Sequence, residues 1–254
     1  MRLGLVTYNL AKDWDLETII KHCEETGFEG VELRTTHAHR VEADLTPAQR
    51  AAVRKRFADS RVELVGLGTA FEFDMMDPAE VRRNIEGTKE YIKLARDLGA
   101  SGVKVRPNAL HEDQGVPREK TFAQIGNALR ECGKFARDCG VQLRLEVHGR
   151  QTSDPRCIRA ILDQAGNSQV AVCWNSNTTD LIDGGIDQGF GLLGERIGLV
   201  HINELWSDYP WKRLFALLRQ RGYRGFCLAE IPPSPEPLRL MRYYRALWQA
   251  LAEG

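Results

Sequence analysis

The sequence predicts an α/β fold, a single (β/α)8 TIM barrel that spans residues 1–254. Eight strand-like segments alternate with eight helix-like segments, and no shift in composition divides the chain, which is typical of a parallel sheet. A step from helix through two glycines into an apolar strand recurs in TGFEGVEL (26–33), LGASGVKV (98–105) and RGYRGFCL (221–228). The eightfold repeat favours a closed barrel, and a doubly wound open sheet is the alternative.

The elements follow one another in order along the chain. Strands are expected near residues 2–7, 29–34, 61–67, 102–106, 141–148, 169–175, 197–203 and 226–231. Helices are expected near residues 15–26, 47–59, 78–98, 118–139, 154–165, 187–194, 210–221 and 235–252. No G-x-G-x-x-G motif follows the first strand, which argues against a dinucleotide-binding open sheet.

Several helix starts carry recognisable capping residues. Thr46 and Asp77 each precede a proline, and a Gln or Glu follows three residues after the cap. Asp154 and Ser234 also precede prolines, and Asp15 can cap the first helix. These residues predict where five of the helices begin.

Composition and charge argue against several classes of partner. Lys and Arg total 35, and so do Asp and Glu, so no basic excess favours nucleic acid or an anionic membrane. The chain has no membrane-spanning apolar segment and no signal-peptide pattern at its N-terminus. Its six cysteines form no C-x-x-C pair, which is typical of buried thiols in a reducing compartment. We therefore expect a cytoplasmic protein without nucleic-acid or membrane partners.

Alternation along the strands places charged side chains inside the barrel. In the fifth strand Val141, Leu143, Leu145 and Val147 are expected to face the helices, so Arg144, Glu146 and His148 face the axis. Buried charges need partners, and an ion-pair network of Glu32, Arg34 and Arg144 explains the deeper ones.

Four polar residues stand at the ends of consecutive strands: Glu146, Asn175, His201 and Glu230. They lie about one βα unit apart, so they meet at the C-terminal end of a barrel, where barrel enzymes carry their active sites. Carboxylate, amide and imidazole ligands suit one divalent metal ion, namely Mn²⁺, Mg²⁺, Co²⁺ or Zn²⁺. A metal-free polar network, with a binding role for the barrel, is the alternative.

The segments around these positions resemble the xylose isomerase-like barrel superfamily, and its sugar phosphate isomerase/epimerase family in particular. They are LRLEVHG (143–149), CWNSNTTD (173–180), VHINEL (200–205) and FCLAEIP (226–232). The resemblance implies that Glu146, position 175, His201 and Glu230 hold the metal. It also implies that Glu146 and Glu230 are the catalytic acid and base.

One position departs from the family pattern, which often shows Asp-x-x-His at the end of the sixth strand. Here that segment is Asn175-Ser176-Asn177-Thr178. An amide oxygen can still bind metal but brings no charge, so we expect weaker metal binding or loss of the metal. Asn177 and Thr178 then replace the histidine with neutral hydrogen-bonding groups.

The function expected from these features is a metal-dependent isomerase or epimerase of a ketose or keto-sugar. One glutamate removes a proton next to the carbonyl, and the other returns it to the enediolate. If a leaving group stands β to the carbonyl, the same intermediate eliminates it, so a lyase or dehydratase is an alternative. Candidate substrate-binding residues are His37, Glu72, Lys104, Arg106, His148, Asn177 and Glu204.

The expected partner is a small-molecule sugar, and members of this family often form a homodimer or homotetramer. The apurinic-site endonucleases share the barrel and use three zinc ions. That function needs more histidine and acidic ligands and a basic surface, so the neutral charge and short ligand set argue against it.

Overall fold

A closed ring of parallel strands forms the centre of the protein in this computed structural model, which describes residues 1–166 and 170–253. The strands are β1 (Arg2–Val6), β2 (Gly30–Arg34), β3 (Glu63–Glu72), β4 (Gly102–Arg106), β5 (Gln142–Glu146), β6 (Val170–Asn175), β7 (Ile197–Ile202) and β8 (Phe226–Ala229). Each strand pairs with the next, and β1 pairs with β8 to close the ring. The predicted (β/α)8 barrel is therefore confirmed.

The α-helices follow the strands in strict alternation. They are α1 (Leu16–Thr26), α2 (Pro47–Ala58), α3 (Pro78–Leu98), α4 (Arg118–Asp138), α5 (Pro155–Ala165), α6 (Asp187–Leu193), α7 (Trp211–Gln220) and α8 (Pro237–Glu253). The predicted caps Asp15, Thr46, Asp77 and Asp154 each accept a hydrogen bond from a backbone N–H of the first turn. Gly27 and Gly99 end α1 and α3 in the left-handed conformation, at φ 74° and 79°. This is the glycine helix cap that the helix–glycine–strand step predicts.

Several element boundaries differ from the prediction by one or more residues. β3 continues to Glu72, which was expected in a loop, because the far end of the strand pairs with Arg106 of β4. The predicted fifth strand ends early, so His148 lies in the following loop. α8 begins at Pro237, and the Ser234 hydroxyl instead accepts the N–H of Glu236 (3.1 Å). Gln169, the expected start of the sixth strand, lies outside the described residues.

The apolar core has two parts. The larger part fills the space between the sheet and the helices, and it includes the outward-facing Val141, Leu143, Leu145 and Val147. A small inner cluster fills the barrel axis and consists of Val6, Val65, Cys173, Leu199, Phe226 and Leu228. This inner cluster leaves the rest of the interior to polar side chains.

Among the described residues, none of the helices has both the length and the apolar sequence that crossing a bilayer requires.

Candidate active site

Polar side chains from consecutive strands meet at the C-terminal end of the barrel. Glu146 ends β5, Asn175 ends β6 beside its pairing partner His201 of β7, and Glu230 directly follows β8. The N–H of Glu230 donates to the carbonyl of Ile202 (2.9 Å), which holds this residue against the end of β7. The structure thus places all four predicted metal ligands on adjacent strand ends.

His201 is the centre of this group and is fully buried. Its Nδ1 lies 3.2 Å from Glu146 Oε1 and 3.6 Å from Glu230 Oε2. Its Nε2 lies 3.2 Å from Glu32 Oε1. Burial opposes the charged imidazole, but the neighbouring Cys173 thiol and the Glu32 and Glu146 carboxylates raise the pKa of His201 well above its ordinary value.

Part of the donor set has the spacing of ligands on one divalent ion. Ligands of a single metal ion are about 3 to 3.5 Å apart, given metal–ligand bonds of about 2.1 Å. The distance from His201 Nδ1 to Glu146 falls in this range, whereas the distance to Glu230 is slightly longer, and the group of ligand atoms within 4.8 Å of one another consists of Glu146, Cys173 and His201. Asn175 Oδ1 is buried and has no hydrogen-bond partner among the described residues, as expected of an oxygen that binds a cation. Glu32 lies against Nε2 of His201, so Nδ1 is the nitrogen that can bind the ion. Carboxylates behind metal-bound histidines commonly orient the ring in this way.

Cys173 is a further donor that sequence reasoning missed. Its thiol lies within 4.8 Å of the ligand atoms of Glu146 and His201, and it pairs with Glu146 across β5 and β6. The sequence pattern of the six cysteines predicts only buried thiols. The available signal was alternation, because Cys173 stands two residues before Asn175 and so faces the same side. Burial raises the pKa of this thiol, which makes it a weak ligand at neutral pH.

Lys104 of β4 brings a buried positive charge to the same site. Its Nζ donates to Glu146 Oε2 at 2.7 Å, and the two side chains are only 5% and 2% exposed. Burial alone would raise the pKa of Glu146, but Lys104 and His201 hold it well below its usual range. Glu146 is therefore ionised, with one oxygen on Lys104 and the other towards His201.

A cavity of about 120 Å³ opens above these groups. It is lined by Tyr8, Arg34, Lys104, Arg106, Glu146, His148 and Glu230. Arg106 forms an ion pair with Glu72, whose second oxygen accepts a hydrogen bond from Asn108 (2.9 Å). Burial lowers the pKa of His148, so its imidazole is neutral at pH 7. Of the predicted substrate-binding residues, Lys104, Arg106 and His148 line this cavity directly.

The other predicted substrate-binding residues lie outside its wall. Glu72 supports Arg106 from behind, and His37 faces the hydroxyl of Thr7 (3.0 Å). The amide of Asn177 donates to the carbonyl of Val147 (2.6 Å), which ties it to the backbone. Glu204 accepts the indole N–H of Trp206 (2.6 Å) and lines a separate pocket of about 340 Å³ between the loops after β6 and β7.

The predicted network of Glu32, Arg34 and Arg144 is wrong in its contacts. Arg144 donates to Gln142, to the carbonyl of Val65 and to Ser101, at 2.8 to 3.1 Å. Glu32 instead faces His201, in a space that Gly68 leaves open; a Cβ at Gly68 would lie 2.7 Å from Glu32 Oε1.

Arg34 was also expected deep in the barrel, yet it lies at the cavity wall. It is the last residue of β2, so its side chain reaches the rim and not the interior. Arg34 is thus a second candidate functional residue that the sequence analysis missed.

A family model of the xylose isomerase-like TIM barrel matches residues 20–247. The chain belongs to this family. The match covers β2 to β8, which carry all four predicted metal ligands or directly precede them. A search of the curated proteins found no match.

Several solved structures share the fold. A D-psicose 3-epimerase from Clostridium cellulolyticum H10, solved with D-tagatose, is similar with a TM-score of 0.83 and 15% identity over 99% of both chains. The 3-keto-D-glucoside 4-epimerase YcjR from E. coli is similar with a TM-score of 0.79 and 14% identity over 98% of this chain and 99% of its own. The IolI protein with a bound zinc atom is similar with a TM-score of 0.76 and 16% identity over 99% and 96%.

Proposed function

We propose that this protein is a sugar isomerase or epimerase that acts on a ketose or keto-sugar. The observation that carries the proposal is the convergence of two carboxylates, Glu146 and Glu230, on His201 Nδ1 beside a cavity at the C-terminal end of the barrel. Two of the similar structures are described as sugar epimerases, which supports the same class of reaction.

Glu230 is the proposed base. Its side chain is 20% exposed and lines the cavity, and no hydrogen bond to it is found in residues 1–166 and 170–253. It can therefore accept the proton from the carbon next to the substrate carbonyl, which leaves an enediolate. Glu146, ionised and held by Lys104 at the other side of His201, is the proposed partner. To return a proton to this intermediate it first takes one from Lys104 Nζ, which already donates to it.

Glu146, Asn175, His201 and Glu230 would hold one divalent metal ion. When bound, such an ion supplies Lewis acidity that makes the substrate a stronger carbon acid. Lys104 and Glu32 would position two of these ligands, Glu146 and His201 respectively. The identity of the ion, from Mn²⁺, Mg²⁺, Co²⁺ and Zn²⁺, is a matter for metal analysis of the purified protein.

The cavity wall supplies the proposed substrate contacts. Lys104, Arg106 and the neutral His148 offer hydrogen bonds to sugar oxygens. Glu72 acts through Arg106, while His37, Asn177 and Glu204 reach substrate only if it extends beyond the cavity towards the loops.

Solvent exchange tests the reaction directly. Ketoses and keto-glycosides are incubated with the protein in D₂O, with and without Mn²⁺, and the products are analysed by NMR. Carbon-bound deuterium without loss of water or aglycone supports an isomerase or epimerase. An unsaturated product indicates the lyase, and no exchange with any sugar contradicts both.

Paired variants assign the base. Glu230→Gln removes the proton acceptor, so we expect exchange to fall by at least about 100-fold. Glu236→Gln is the matched control, because this exposed residue near the start of α8 pairs only with Arg239 among the described residues. Equal exchange rates in the two variants would rule out Glu230.

A further inference from the structure

The cavity wall carries an arginine whose charge is not balanced by a carboxylate. No Asp or Glu oxygen lies within 4.0 Å of the Arg34 guanidinium in the described part of the chain, whereas Lys104 and Arg106 each have one. Arg34 ends β2, Glu146 ends β5 and Glu230 directly follows β8, so all three lie at the same rim. Arg34 thus shares the rim with two carboxylates but pairs with neither of them. An arginine left unpaired at such a site points to an anionic group on the ligand.

The free edge of this guanidinium suits such a group. Nη1 is occupied by the carbonyl (3.2 Å) and hydroxyl (2.6 Å) of Thr35, and the backbone N–H of Arg34 donates to Thr7 (2.9 Å). These contacts orient the side chain. Nε and Nη2, which form the other edge of the fork, have no hydrogen-bond partner in the described ranges. Two parallel N–H groups are the arrangement that binds a carboxylate or phosphate bidentately.

The charge of the whole polar interior supports the same conclusion. Four carboxylates (Glu32, Glu72, Glu146 and Glu230) face four permanent cations (Arg34, Lys104, Arg106 and Arg144). A metal ion on Nδ1 requires the neutral form of His201, and with that form this set has no net charge, so one divalent ion would add two positive charges to the site. An anionic group on the ligand would offset this excess of positive charge.

The size of the cavity limits what binds there. About 120 Å³ corresponds to roughly four water molecules at about 30 Å³ each. A carboxylate or phosphate with its adjoining carbons fills this space. The rest of the ligand then extends past Tyr8, which is 43% exposed at the mouth.

We infer that the substrate is an acidic sugar derivative, a sugar carboxylate or a sugar phosphate, whose anionic group is held by the free edge of Arg34. This inference rests on the proposed function, and it names the substrate class of that site. It distinguishes this protein from the similar epimerases, whose described ligands, D-psicose and D-tagatose, are neutral sugars.

Binding of matched probes tests the inference. D-fructose, D-fructuronate and D-fructose 6-phosphate share one carbon skeleton and differ only in the charge at carbon 6. Isothermal titration with the Mn²⁺-loaded protein is expected to show at least tenfold tighter binding of one anion than of D-fructose. The preferred anion identifies the carboxylate or the phosphate. Equal affinities for all three probes, or no binding of either anion, overturn the inference.

Variants connect the preference to Arg34. Arg34→Gln is expected to remove at least tenfold of the anion's advantage, and Arg34→Lys, which keeps charge but not the fork, to remove part of it. Arg242→Gln on the exposed face of α8 is the control and keeps the full preference. An undiminished preference in both Arg34 variants overturns the assignment, and their thermal melts show that they are folded.

The two proposals fail separately. Tight, Arg34-dependent binding of an anion without deuterium exchange would contradict the isomerase proposal and leave the anion site in place. Deuterium exchange into D-fructose with no preference for its acidic derivatives would contradict the anion site and leave the isomerase proposal in place.

Discussion

Lys104 is a buried cation that competes for a proposed metal ligand. Its ammonium lies 2.7 Å from Glu146 Oε2, and both side chains are buried, so solvent screens the interaction poorly. A positive charge at this position repels a second cation bound by the other carboxylate oxygen. We infer that Lys104 weakens metal binding and compensates Glu146 when no metal is bound.

The substitution Lys104→Met tests this role. We expect Mn²⁺ to bind at least tenfold tighter, because a neutral side chain no longer repels it, as measured by calorimetric titration. Urea unfolding of the metal-free variant should show a loss of about 3 kcal/mol, since Glu146 loses its buried partner. Lys89→Met, which breaks partly exposed ion pairs of α3 with Glu86 and with Glu131 of α4, should cost at most about 1 kcal/mol and leave Mn²⁺ affinity unchanged. Unchanged or weaker Mn²⁺ binding in Lys104→Met would contradict this role.

Asn175 is the proposed metal ligand that brings no charge to the site. Its Oδ1 is a buried, unpartnered oxygen, so Asn175→Asp adds a negative charge close to His201 without changing the shape. We expect the metal-free variant to melt at a lower temperature than wild type, and Mn²⁺ to raise its Tm by more. Asn127→Asp, exposed on α4, is the control. A Tm shift with Mn²⁺ no larger than that of wild type would show that position 175 does not bind the ion.

Sequence patterns located some of these residues and missed others for one physical reason. Alternation tells which side chains face the axis, and it placed Glu146 and His201 correctly. It does not tell how far along the axis each strand stands, because that depends on register. The register shifts by one residue between Val31 and Glu32 against β3, and again before Cys173 against β7. The depth of Arg34 therefore needed the structure, whereas alternation alone could have shown that Cys173 faces inward.

At the scale of elements, the loop after β6 contains a buried carboxyl group. Asp180 is fully buried, and one of its oxygens accepts hydrogen bonds from Tyr209 (2.7 Å) and the N–H of Asn177 (2.9 Å). Burial, only partly offset by these bonds, raises the pKa of Asp180 to about 7. The folded protein therefore holds this proton more tightly than the unfolded chain does.

This shift predicts the direction of a pH dependence. A raised folded-state pKa means that the contribution of Asp180 to stability is complete below pH 3.8 and declines as the pH rises to about 7. Denaturant unfolding of wild type should show this decline, on the order of 4 kcal/mol. Asp180→Asn cannot titrate and should lack that part of the slope. The same pH profile in both proteins would contradict the assignment.

Helix starts were more predictable than strand ends. A cap is a local interaction within four residues, so Thr46 and Asp154 could be identified from neighbouring letters alone. The end of β3 depends on pairing with β4, which is distant in sequence, and the glycines of LVGLGTAFE interrupt the apolar pattern. Glu72 was consequently expected in a loop.

At the scale of the whole molecule, repetition made the fold predictable. Eight similar βα units allow few arrangements in which every strand is paired at both edges, and the closed ring was recognisable from their number. The wall of the cavity was not recognisable, since it combines side chains from β1, β2, β4, β5 and β8 with separate registers. A homodimer or homotetramer and a cytoplasmic location stay predictions, and light scattering of the purified protein would measure the former.

Closure of the ring has a consequence for how the chain is made. Arg2 of β1 pairs with Phe226 of β8. One edge of β1, the first barrel strand to be synthesised, is therefore unpaired until β8 has been made. Until then, β1 and the newest strand both present unpaired backbone groups, which are templates for pairing with other chains. A messenger truncated before the eighth strand would thus yield an aggregation-prone product with most of its core sequence intact. For this protein, completing translation is itself a protection against misassembly.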